Sequence, residues 1–599
     1  MRKLFITLLI TGAGLLARGQ DPLVYVDPFI GTAKSNAYTR WGNEGGTYPG
    51  AVAPWGIMQL TPETRAGGGY DYGDSTIYFF SCWHHLSGYP GGSAGQIKIM
   101  PLGPAGGVTG RPGPEGNGTG STGTMEPLTG RLFRHQDEKA SPGYYRVLFP
   151  DDHSSMEVTA SGRVGLFRVT FPANVVPKIF IGGMGKITLN KDRSLQGDAI
   201  PAVLSYDRDL PGVDSVKDGI ILRWAASAAG PAVIIIRISV SSAGTGSARN
   251  NIDKETGGLG FDRIKERTAG QWRKELSVVR VDDKDEEKKK VFYTALYHSL
   301  LLPWIISDVD GRYKGRDGLI HTATGKNEYG QFSPWDTFRS LHPLLCLLFP
   351  GRQRDMILSM LDIYHQTGHL PIESMTGNHA IPVIVDSWLK GIRGFDSTVA
   401  FSAMKRSLAE APYLQPDMEV YHQLGYIPFT YSESVTRTVE YAYDDWALGQ
   451  FAGQVLHREE EKAFWQKRSY NYRNLCHPDE LLLLPRDGSQ FKLQPGTTGY
   501  KEGDKWVYSF FVPQHVKDLI NLQGGEEAFV SRLDSALLNQ AIVFDNETVF
   551  HIPYLFNYAG RPDRTQFWVR AIMANRFAAT PGGLPGNDDL GSLSSWFVL

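Results

Sequence analysis

The pattern of hydrophobic and polar positions divides the chain into two parts. Between about residues 21 and 244, short runs rich in β-branched residues alternate with turns rich in Gly, Pro and Asp, as in "GIILRWAASA" and "AVIIIRISVSSA". Such runs predict short strands. No long crossover helix is visible between them, so we expect antiparallel sheets that pack as a sandwich.

From about residue 261 the apolar positions follow a helical period. The segment "DEEKKKVFYTALYHSLLLPW" has acidic residues at its start and places Phe292, Leu296 and Leu300 on one side, which predicts an amphipathic helix. Thr430 and Glu433 have the spacing of a capping box before a long helix. Further helical segments follow over about 330 residues without a strict period. They favour a helical toroid over an ordinary repeat solenoid.

Length and charge narrow the range of functions. A chain of 599 residues exceeds a single compact core, so we expect at least two domains. The 61 Lys and Arg residues nearly balance the 63 Asp and Glu residues, so there is no basic field for nucleic acid or anionic lipid. The three cysteines do not form a disulfide framework. Free or buried thiols are favoured over a single bridge.

The first twenty residues have the pattern of a signal peptide. Arg2 and Lys3 precede a mostly apolar run over residues 4–16, and small residues follow, with cleavage expected near Gly19 or Gln20. The run is short for a membrane span, and no cysteine follows it that would carry a lipid anchor. We therefore predict an exported protein without a membrane span, periplasmic or extracellular.

Several familiar motifs do not fit their required context. "GGSAG" around Ser93 matches a nucleophile elbow, but a loop precedes the serine and a strand-like run follows it, which is the reverse of the required order. "SDVDGRYKGRDG" lacks the ligand spacing of an EF-hand, and a plain turn is favoured. The His pair at residues 84–85 alone does not make a zinc site.

Acidic, aromatic and histidine residues cluster in six segments of the helical part. These are "QFSPWDTFRSLHP", "TGNHAIPVIVDSW", "YAYDDWALGQ", "GYKEGDKWVYSFFVPQH", "FDNETVFHIPYLFNYAG" and "GLPGNDDLGSLSSW". Each alone could be structural. Together, rings that stack on sugars and carboxylates that bind hydroxyl groups are typical of a carbohydrate site. Paired acids are also what glycoside hydrolysis requires.

These segments, together with "VYVDPFIGT", "GTYPGAVAPWGIMQLTPET" and "HLSGYPGGSAGQ", resemble glycoside hydrolase family 92, the calcium-dependent exo-α-mannosidases. The resemblance covers essentially the whole mature chain. It implies an N-terminal antiparallel β-sandwich over residues 21–255, a helical linker over 256–290 and a catalytic (α/α)6 barrel over 291–599. The substrate implied is a mannose-containing glycan.

The resemblance also implies an inverting mechanism and its residues. Glu502 in "YKEGDKW" matches the general acid of the family motif, and a glutamate there favours ordinary mannosides over mannosyl phosphates. Asp589 in "GNDDLG" matches the aspartate of the family's base loop, and its neighbour Asp588 is expected to assist or orient it. Two adjacent carboxylates can raise each other's pKa, which suits a base near neutral pH.

The resemblance further implies Ca²⁺ as cofactor. Asn546 and Glu547 in "DNETVFH" match the family's metal-binding segment, and a capped helix start at Asn546 is the structural alternative. The positions expected to line the pocket for terminal mannose are His85, Trp335, Asp336 and His551, with Trp83 and Trp55 as weaker candidates.

Two departures from the family pattern bear on activity. The stretch "GHLPIESMTGNHAIPV" is shorter than usual, so a substrate-facing loop is expected to differ. Family members also run on past "SSWFV", so we expect the barrel to be incomplete and the chain truncated at Leu599. The alternative function is therefore an inactive, truncated family member that at most binds glycans. Another exo-glycosidase or a lyase on a helical toroid is disfavoured.

Overall fold

The structure is a computed structural model that describes residues 21–65, 68–83, 87–88, 97–103, 130–209, 211–372, 375–409 and 415–599. The predicted signal peptide, His85 and Ser93 lie outside these residues. Among the described residues, strands dominate up to residue 240 and helices dominate from residue 245 onward. The predicted order, an antiparallel sandwich followed by a helical domain, is confirmed.

The N-terminal domain is built from short strands. In chain order they are β1 (Leu60–Glu63), β2 (Thr76–Ile77), β3 (Phe79–Cys82), β4 (Ile97–Pro101), β5 (Arg131–Leu132), β6 (Glu138–Ser141), β7 (Tyr144–Leu148), β8 (Ser155–Ala160), β9 (Val164–Phe171), β10 (Lys178–Gly182), β11 (Ile187–Leu189), β12 (Ser194–Gly197), β13 (Ala202–Tyr206), β14 (Gly212–Val216), β15 (Gly219–Arg223) and β16 (Ala232–Val240). In the described part of the chain, one sheet has the six-strand order β1-β3-β4-β10-β15-β14. The other has the eight-strand order β11-β12-β13-β16-β9-β8-β7-β6, and β2 pairs with β5.

The strand β16 shows why this sequence forms a sandwich. Ile234, Ile236 and Ile238 are at most 1% exposed, whereas Val233 on the opposite face is 38% exposed. Successive side chains of a strand point to opposite faces, so the alternate isoleucines all enter the core between the sheets. Ile236 pairs with Phe167 of the antiparallel neighbour β9, which fixes the register of the two strands.

The helices follow in the second part of the chain. They are α1 (Thr245–Thr256), α2 (Phe261–Leu276), α3 (Glu286–His298), α4 (Pro334–Thr337), α5 (Leu341–Leu348), α6 (Pro350–Thr367), α7 (Ala380–Leu389), α8 (Ser397–Ala409), α9 (Met418–Leu424), α10 (Ser434–Gln454), α11 (Glu459–Arg468), α12 (Lys505–Tyr508), α13 (Val516–Leu522), α14 (Glu526–Leu538), α15 (Pro562–Arg576) and α16 (Ser592–Val598). Short strand pairs lie between some of them: β17 (Trp304–Ile305), β18 (Arg312–Lys314), β19 (Ile320–Thr322), β20 (Tyr329–Gly330), β21 (Arg486–Asp487) and β22 (Gln490–Phe491).

The helix α2 joins the two domains. Its buried residues Ile264, Thr268, Trp272 and Leu276 recur every fourth position, so they form one stripe. The helix packs against β8 and β9, and the indole nitrogen of Trp272 donates a 2.7 Å hydrogen bond to the carbonyl oxygen of Val52. The two domains are therefore connected by buried contacts as well as by the chain.

The predicted capping box before α10 is wrong. The helix begins at Ser434, and Glu433 is the cap residue with a left-handed φ of 54° and no capping side-chain bond. The carboxylate of Glu433 instead accepts a 3.0 Å hydrogen bond from Thr376 and faces Arg437. Partners that are distant in the sequence therefore outcompete the local motif.

The described residues contain no helix that is both long and apolar enough to cross a membrane. Cys82, Cys346 and Cys476 are free, as favoured from the sequence.

Candidate active site

Three carboxylates meet where the helical domain faces the sandwich. Each of Asp336, Glu547 and Asp589 offers an oxygen within 4.8 Å of the other two. Asp336 is 5% exposed, Glu547 is fully buried and Asp589 is half-buried. Both oxygens of Glu547 and Oδ2 of Asp589 accept no hydrogen bond from the described residues. Unsatisfied buried anions of this kind call for a cation.

The three acids come from three separate loop and helix-start positions. Asp336 lies in the one-turn helix α4, and the hydroxyl of Ser333 donates a hydrogen bond to its carboxylate. Glu547 begins the 3-10 helix Glu547–Val549. Asp589 precedes α16 and has a left-handed φ of 42°. Residues this far apart in the chain meet only in the folded domain, so their side chains depend on the tertiary structure for their placement.

The loop that carries Asp589 is held by the N-terminal domain. The amide of Asp588 donates a 3.0 Å hydrogen bond to the carbonyl oxygen of Gly45, and the amide of Asp589 donates a 3.3 Å hydrogen bond to that of Gly88. Gly88 has a φ of +86°, and a Cβ atom there would lie 2.4 Å from the amide nitrogen of Asp589. Only glycine permits this approach. The acidic site is therefore assembled from both domains.

Asp588 is not one of the clustered acids. It is fully buried, and its Oδ1 accepts hydrogen bonds from the amide of Ser594 at 2.9 Å and from its hydroxyl at 2.6 Å. These bonds tie the acidic loop to the first turn of α16. Burial raises the pKa of Asp588 to about 6.

Glu502 differs from the other acids because it is exposed. Its Oε2 accepts a 2.8 Å hydrogen bond from the side-chain amide of Asn546, and its backbone carbonyl oxygen accepts one from Thr548. Glu502 also has a left-handed φ of 46°. A non-glycine residue in this region costs about 1–3 kcal/mol and is held there by its surroundings. Glu502 therefore lies in a fixed position beside the cluster and remains accessible to solvent.

The electrostatics of the cluster are those of mutually repelling buried acids. Burial and the charge of Glu502 raise the pKa of Asp336 to about 7. Burial raises the pKa of Glu547 well above its ordinary value, and the charges of Glu502 and Asp336 raise it further. Asp589 is raised in the same way, by burial and then by Glu547. A cation would reverse these shifts because it stabilises the ionised carboxylates.

This donor set fits Ca²⁺. Calcium prefers six to eight oxygen ligands, including carboxylates and amide oxygens. Asn546 is 1% exposed, and its Oδ1 has no partner among the described residues. The sequence predicted Asn546 and Glu547 as ligands. The structure adds Asp336 and Asp589 to the oxygens within reach of such an ion.

The predicted substrate-binding residues lie at different places. Trp335 is 1% exposed, and its indole nitrogen donates a 3.1 Å hydrogen bond to Glu440 behind the cluster. His551 lines a cavity of about 290 Å³, and in the described chain the three clustered acids do not line it. Its Nε2 lies 3.0 Å from the carbonyl oxygen of Phe510, and burial lowers its pKa to about 4.

The tryptophans of the N-terminal domain differ from each other. Trp83 lines a cavity of about 250 Å³ at the boundary of the two domains, together with Trp304 and Gln331. Trp55 is fully buried, packs edge-on against Phe349 and carries the guanidinium of Arg352 4.2 Å from its ring. Trp55 is therefore a core residue, whereas Trp83 borders accessible space. His85 is outside the described residues.

Two charged residues behind the cluster were not singled out from the sequence. Arg339 and Glu440 form a buried ion pair of 3.2 Å next to Trp335. Arg339 lies in the segment "QFSPWDTFRSLHP", but Glu440 is hidden in a long helix and carries no motif. The only available signal was a glutamate among apolar residues of a helix with an expected buried face.

The fold and the acids together define a glycoside hydrolase, and comparison with known proteins gives its family. The model of the glycosyl hydrolase family 92 catalytic domain matches residues 247–599, and that of the family's N-terminal domain matches residues 25–201. The chain belongs to glycosyl hydrolase family 92.

Solved structures and one curated relative are similar over nearly the whole chain. A family 92 α-mannosidase of Bacteroides thetaiotaomicron in complex with mannoimidazole has 28% identity and a TM-score of 0.84, over 96% of this chain and 84% of that chain. An inverting family 92 mannosidase of the same species has 25% identity and a TM-score of 0.84, over 96% and 86%. An uncharacterized secreted glycosidase of Arthroderma benhamiae is 26% identical over 97% of this chain and 82% of its own length.

Proposed function

We propose that the protein is an exported, calcium-dependent, exo-acting α-mannosidase that hydrolyses terminal α-mannosidic bonds of glycans with inversion. The observation that supports this most directly is the cluster of Asp336, Glu547 and Asp589 at the domain boundary, beside the exposed Glu502. The similar Bacteroides structures are described as mannosidases, one of them as inverting. Export is supported by the sequence pattern of residues 1–20 and by the relative described as secreted.

Glu502 is the proposed general acid. Its carboxylate is exposed, so the oxygen of a leaving group can reach it. The amide of Asn546 binds Oε2, and this leaves Oε1 to carry and donate the proton. A general acid must be within hydrogen-bond distance of the glycosidic oxygen in the bound substrate. The fixed, left-handed backbone at Glu502 favours such a defined position.

Asp589 is the proposed general base, and Asp588 is proposed to orient it. In an inverting glycosidase the base removes a proton from water on the face of the sugar opposite the leaving group. The Oδ2 atom of Asp589 is buried and has no hydrogen-bond partner among the described residues, so it is available to accept a proton from such a water. The bonds of Asp588 to Ser594 keep the loop in place without using the carboxylate of Asp589.

Asn546 and Glu547 are proposed to hold Ca²⁺, with Asp336 and Asp589 close enough to contribute oxygens. When bound, the ion would bind hydroxyl oxygens of the terminal mannose and favour a distorted sugar ring. The proposed contacts to the substrate remain Trp335, Asp336, His85, His551 and Trp83.

Proton NMR of a reaction with an α-linked mannobiose tests this function. We expect free mannose that is released first as the β-anomer, because inversion of an α-linkage gives the β-product. Release of the α-anomer would contradict the inverting roles of Glu502 and Asp589. Binding of the disaccharide without any release would favour the inactive alternative.

A further inference from the structure

A network of side chains with alternating charges is buried behind the acidic cluster. The Nε2 atom of His379 lies 2.6 Å from Glu440, and its Nδ1 atom lies 2.6 Å from Asp444. All three side chains are fully shielded from solvent. Two segments that the sequence indicates as carbohydrate-binding candidates, "TGNHAIPVIVDSW" and "YAYDDWALGQ", contribute His379 and Asp444 to this network. The proposed function gives these segments no contact with the substrate.

The geometry favours a protonated histidine in this network. Each ring nitrogen of His379 faces a carboxylate, an arrangement that stabilises the imidazolium, in which both nitrogens donate. Burial lowers the pKa of His379, but the charges of Asp444 and Glu440 more than offset this and raise it to about 9. Glu440 is consequently ionised, because burial opposes its charge but His379 and Arg339 stabilise it.

Arg339 is held on one side by Glu440 of this network. Its Nη2 donates a 3.2 Å hydrogen bond to Glu440, and its Nε donates one of the same length to the carbonyl oxygen of Trp335. The guanidinium carbon lies 4.8 Å from the ring of Phe338 and 5.1 Å from that of Phe511. Its Nη1 has no partner among the described residues, and Arg339 lines the cavity of about 290 Å³. Without Glu440, the guanidinium has open space to move into.

Glu440 is connected to the acidic cluster in two ways. It accepts the 3.1 Å hydrogen bond from the indole of Trp335, the residue directly before Asp336. It also holds Arg339, whose positive charge lowers the pKa of both Asp336 and Glu547. Loss of Glu440 would therefore free the indole ring that precedes Asp336. It would also free the guanidinium of Arg339, whose positive charge stabilises the ionised forms of two clustered acids.

We infer that Glu440 is a positioning residue of the active site, which holds Trp335 and Arg339 in place, and that His379 and Asp444 support it from behind. The inference rests on the proposed function, because the acidic cluster is taken as the mannosidase site. Glu440 contacts no substrate in this account and acts through Trp335 and Arg339.

The test compares Glu440→Gln with Asp445→Asn. Asp445 is the matched control because it is also buried in α10 and ion-paired, at 3.0 Å to Arg468, but away from the cluster. We expect Glu440→Gln to lower kcat/KM for an α-linked mannobiose about a hundredfold, the scale of a reacting group displaced by about 1 Å. Asp445→Asn should lower the melting temperature and leave kcat/KM of the folded enzyme within about twofold of wild type. Equal, small changes in kcat/KM for both variants would overturn the inference.

A second variant and a second measurement cover the remaining outcomes. If Glu440→Gln does not fold, Arg339→Lys replaces it, because lysine keeps the charge but cannot bind both Glu440 and the carbonyl of Trp335. The same hundredfold loss is expected, and wild-type activity would overturn the inference. If wild type releases no mannose, the proposed function fails, and the inference is then decided by crystal structures of wild type and Glu440→Gln, which show the position of Arg339. A guanidinium that moves into the cavity supports the inference, and one that stays in place overturns it.

Discussion

The side-chain amide of Asn546 donates a 2.8 Å hydrogen bond to the carboxylate of Glu502. This bond links the proposed metal-binding segment to the proposed general acid. The opposite end of the same amide, Oδ1, is buried and without a partner among the described residues. An amide that presents its oxygen to a cation must present its nitrogen in the other direction. Cation binding and the position of Glu502 are therefore expected to be coupled through one planar group.

The substitution Asn546→Asp tests this coupling. It replaces the donor to Glu502 by a carboxylate oxygen and adds a fourth negative charge to the cluster. We expect mannose release to fall about a hundredfold, since the acid loses its fixed position. Asn474→Asp is the control, because Asn474 also donates one side-chain bond, to Gly425, away from the site. Similar losses from both variants would contradict the coupling.

Glu547→Gln is expected to stabilise the calcium-free protein. Both oxygens of Glu547 are buried without donors among the described residues, and its charge, when the carboxyl is ionised, repels Asp336 and Asp589. Glutamine is neutral at every pH, so the melting temperature in excess chelator should rise most at alkaline pH, where the raised pKa of Glu547 no longer keeps that carboxyl protonated. Calcium at a hundredfold excess over Kd should add about 2.7 kcal/mol to the free energy of unfolding of wild type. The free energy of unfolding of the variant should increase much less. A variant that is less stable in chelator and still stabilised by calcium would contradict the assignment.

The stability of the calcium-free protein should fall as pH rises from about 4 to about 7. The pKa of Asp336 is about 7 in the folded protein against an ordinary 3.8, so in this range the folded state binds more protons than the unfolded state. Stability falls with pH wherever the folded state binds more protons. Urea unfolding in chelator at several pH values measures the slope. A flat or rising stability would contradict the buried, mutually repelling acids.

A variant pair separates the site from the rest of the protein in that experiment. Burial also raises the pKa of Glu63, in the sandwich, to about 7, so it contributes a slope of the same sign. Asp336→Asn should flatten the slope in chelator but change it little in calcium, since the bound metal keeps Asp336 ionised. Glu63→Gln should flatten it equally in both conditions. If the change in slope caused by Glu63→Gln depended on calcium, this would contradict the assignment of the metal site to the acidic cluster.

Gly88→Ala tests whether the N-terminal domain holds the base loop. A Cβ atom at Gly88 would lie 2.4 Å from the amide nitrogen of Asp589, and the φ of +86° strains any other residue. We expect about a hundredfold loss of mannose release with the domain still folded. Gly258→Ala is the control, because Gly258 has a φ of +75° but open space around its Cβ position. An active Gly88→Ala protein would contradict the interdomain assembly of the site.

Periodicity predicted the order of the domains because strands and helices differ in the spacing of their apolar residues. The alternation in β16 and the stripe of α2 are visible in the sequence. The start of α10 was not predictable, because Glu433 binds Thr376, which is 57 positions away. Local propensity does not contain such long-range partners.

The candidate site was predictable only where residues match a family motif. Asp336, Glu547 and Asp589 have motif positions, but their meeting within one oxygen cluster is a property of the fold. Glu440 lacks a motif, because a glutamate inside a helix gives no sign of which buried partners it will bind. The positions of reacting groups could thus be proposed from sequence, whereas the residues that hold them, Asp588 excepted, could not.

The decisive measurement for a calcium-dependent mannosidase is release of free mannose from α-linked mannobioses by the purified chain, with calcium and with excess chelator. We expect release in calcium, loss of release in chelator and recovery when calcium is restored. Glu502→Gln should lower the rate about 10²–10⁴-fold, the usual contribution of general acid catalysis. Glu526→Gln, an exposed change in the first turn of α14, should leave it unchanged. Mannose release that persists in excess chelator would contradict the calcium dependence, and release that Glu502→Gln leaves unchanged would contradict the role of Glu502 as general acid.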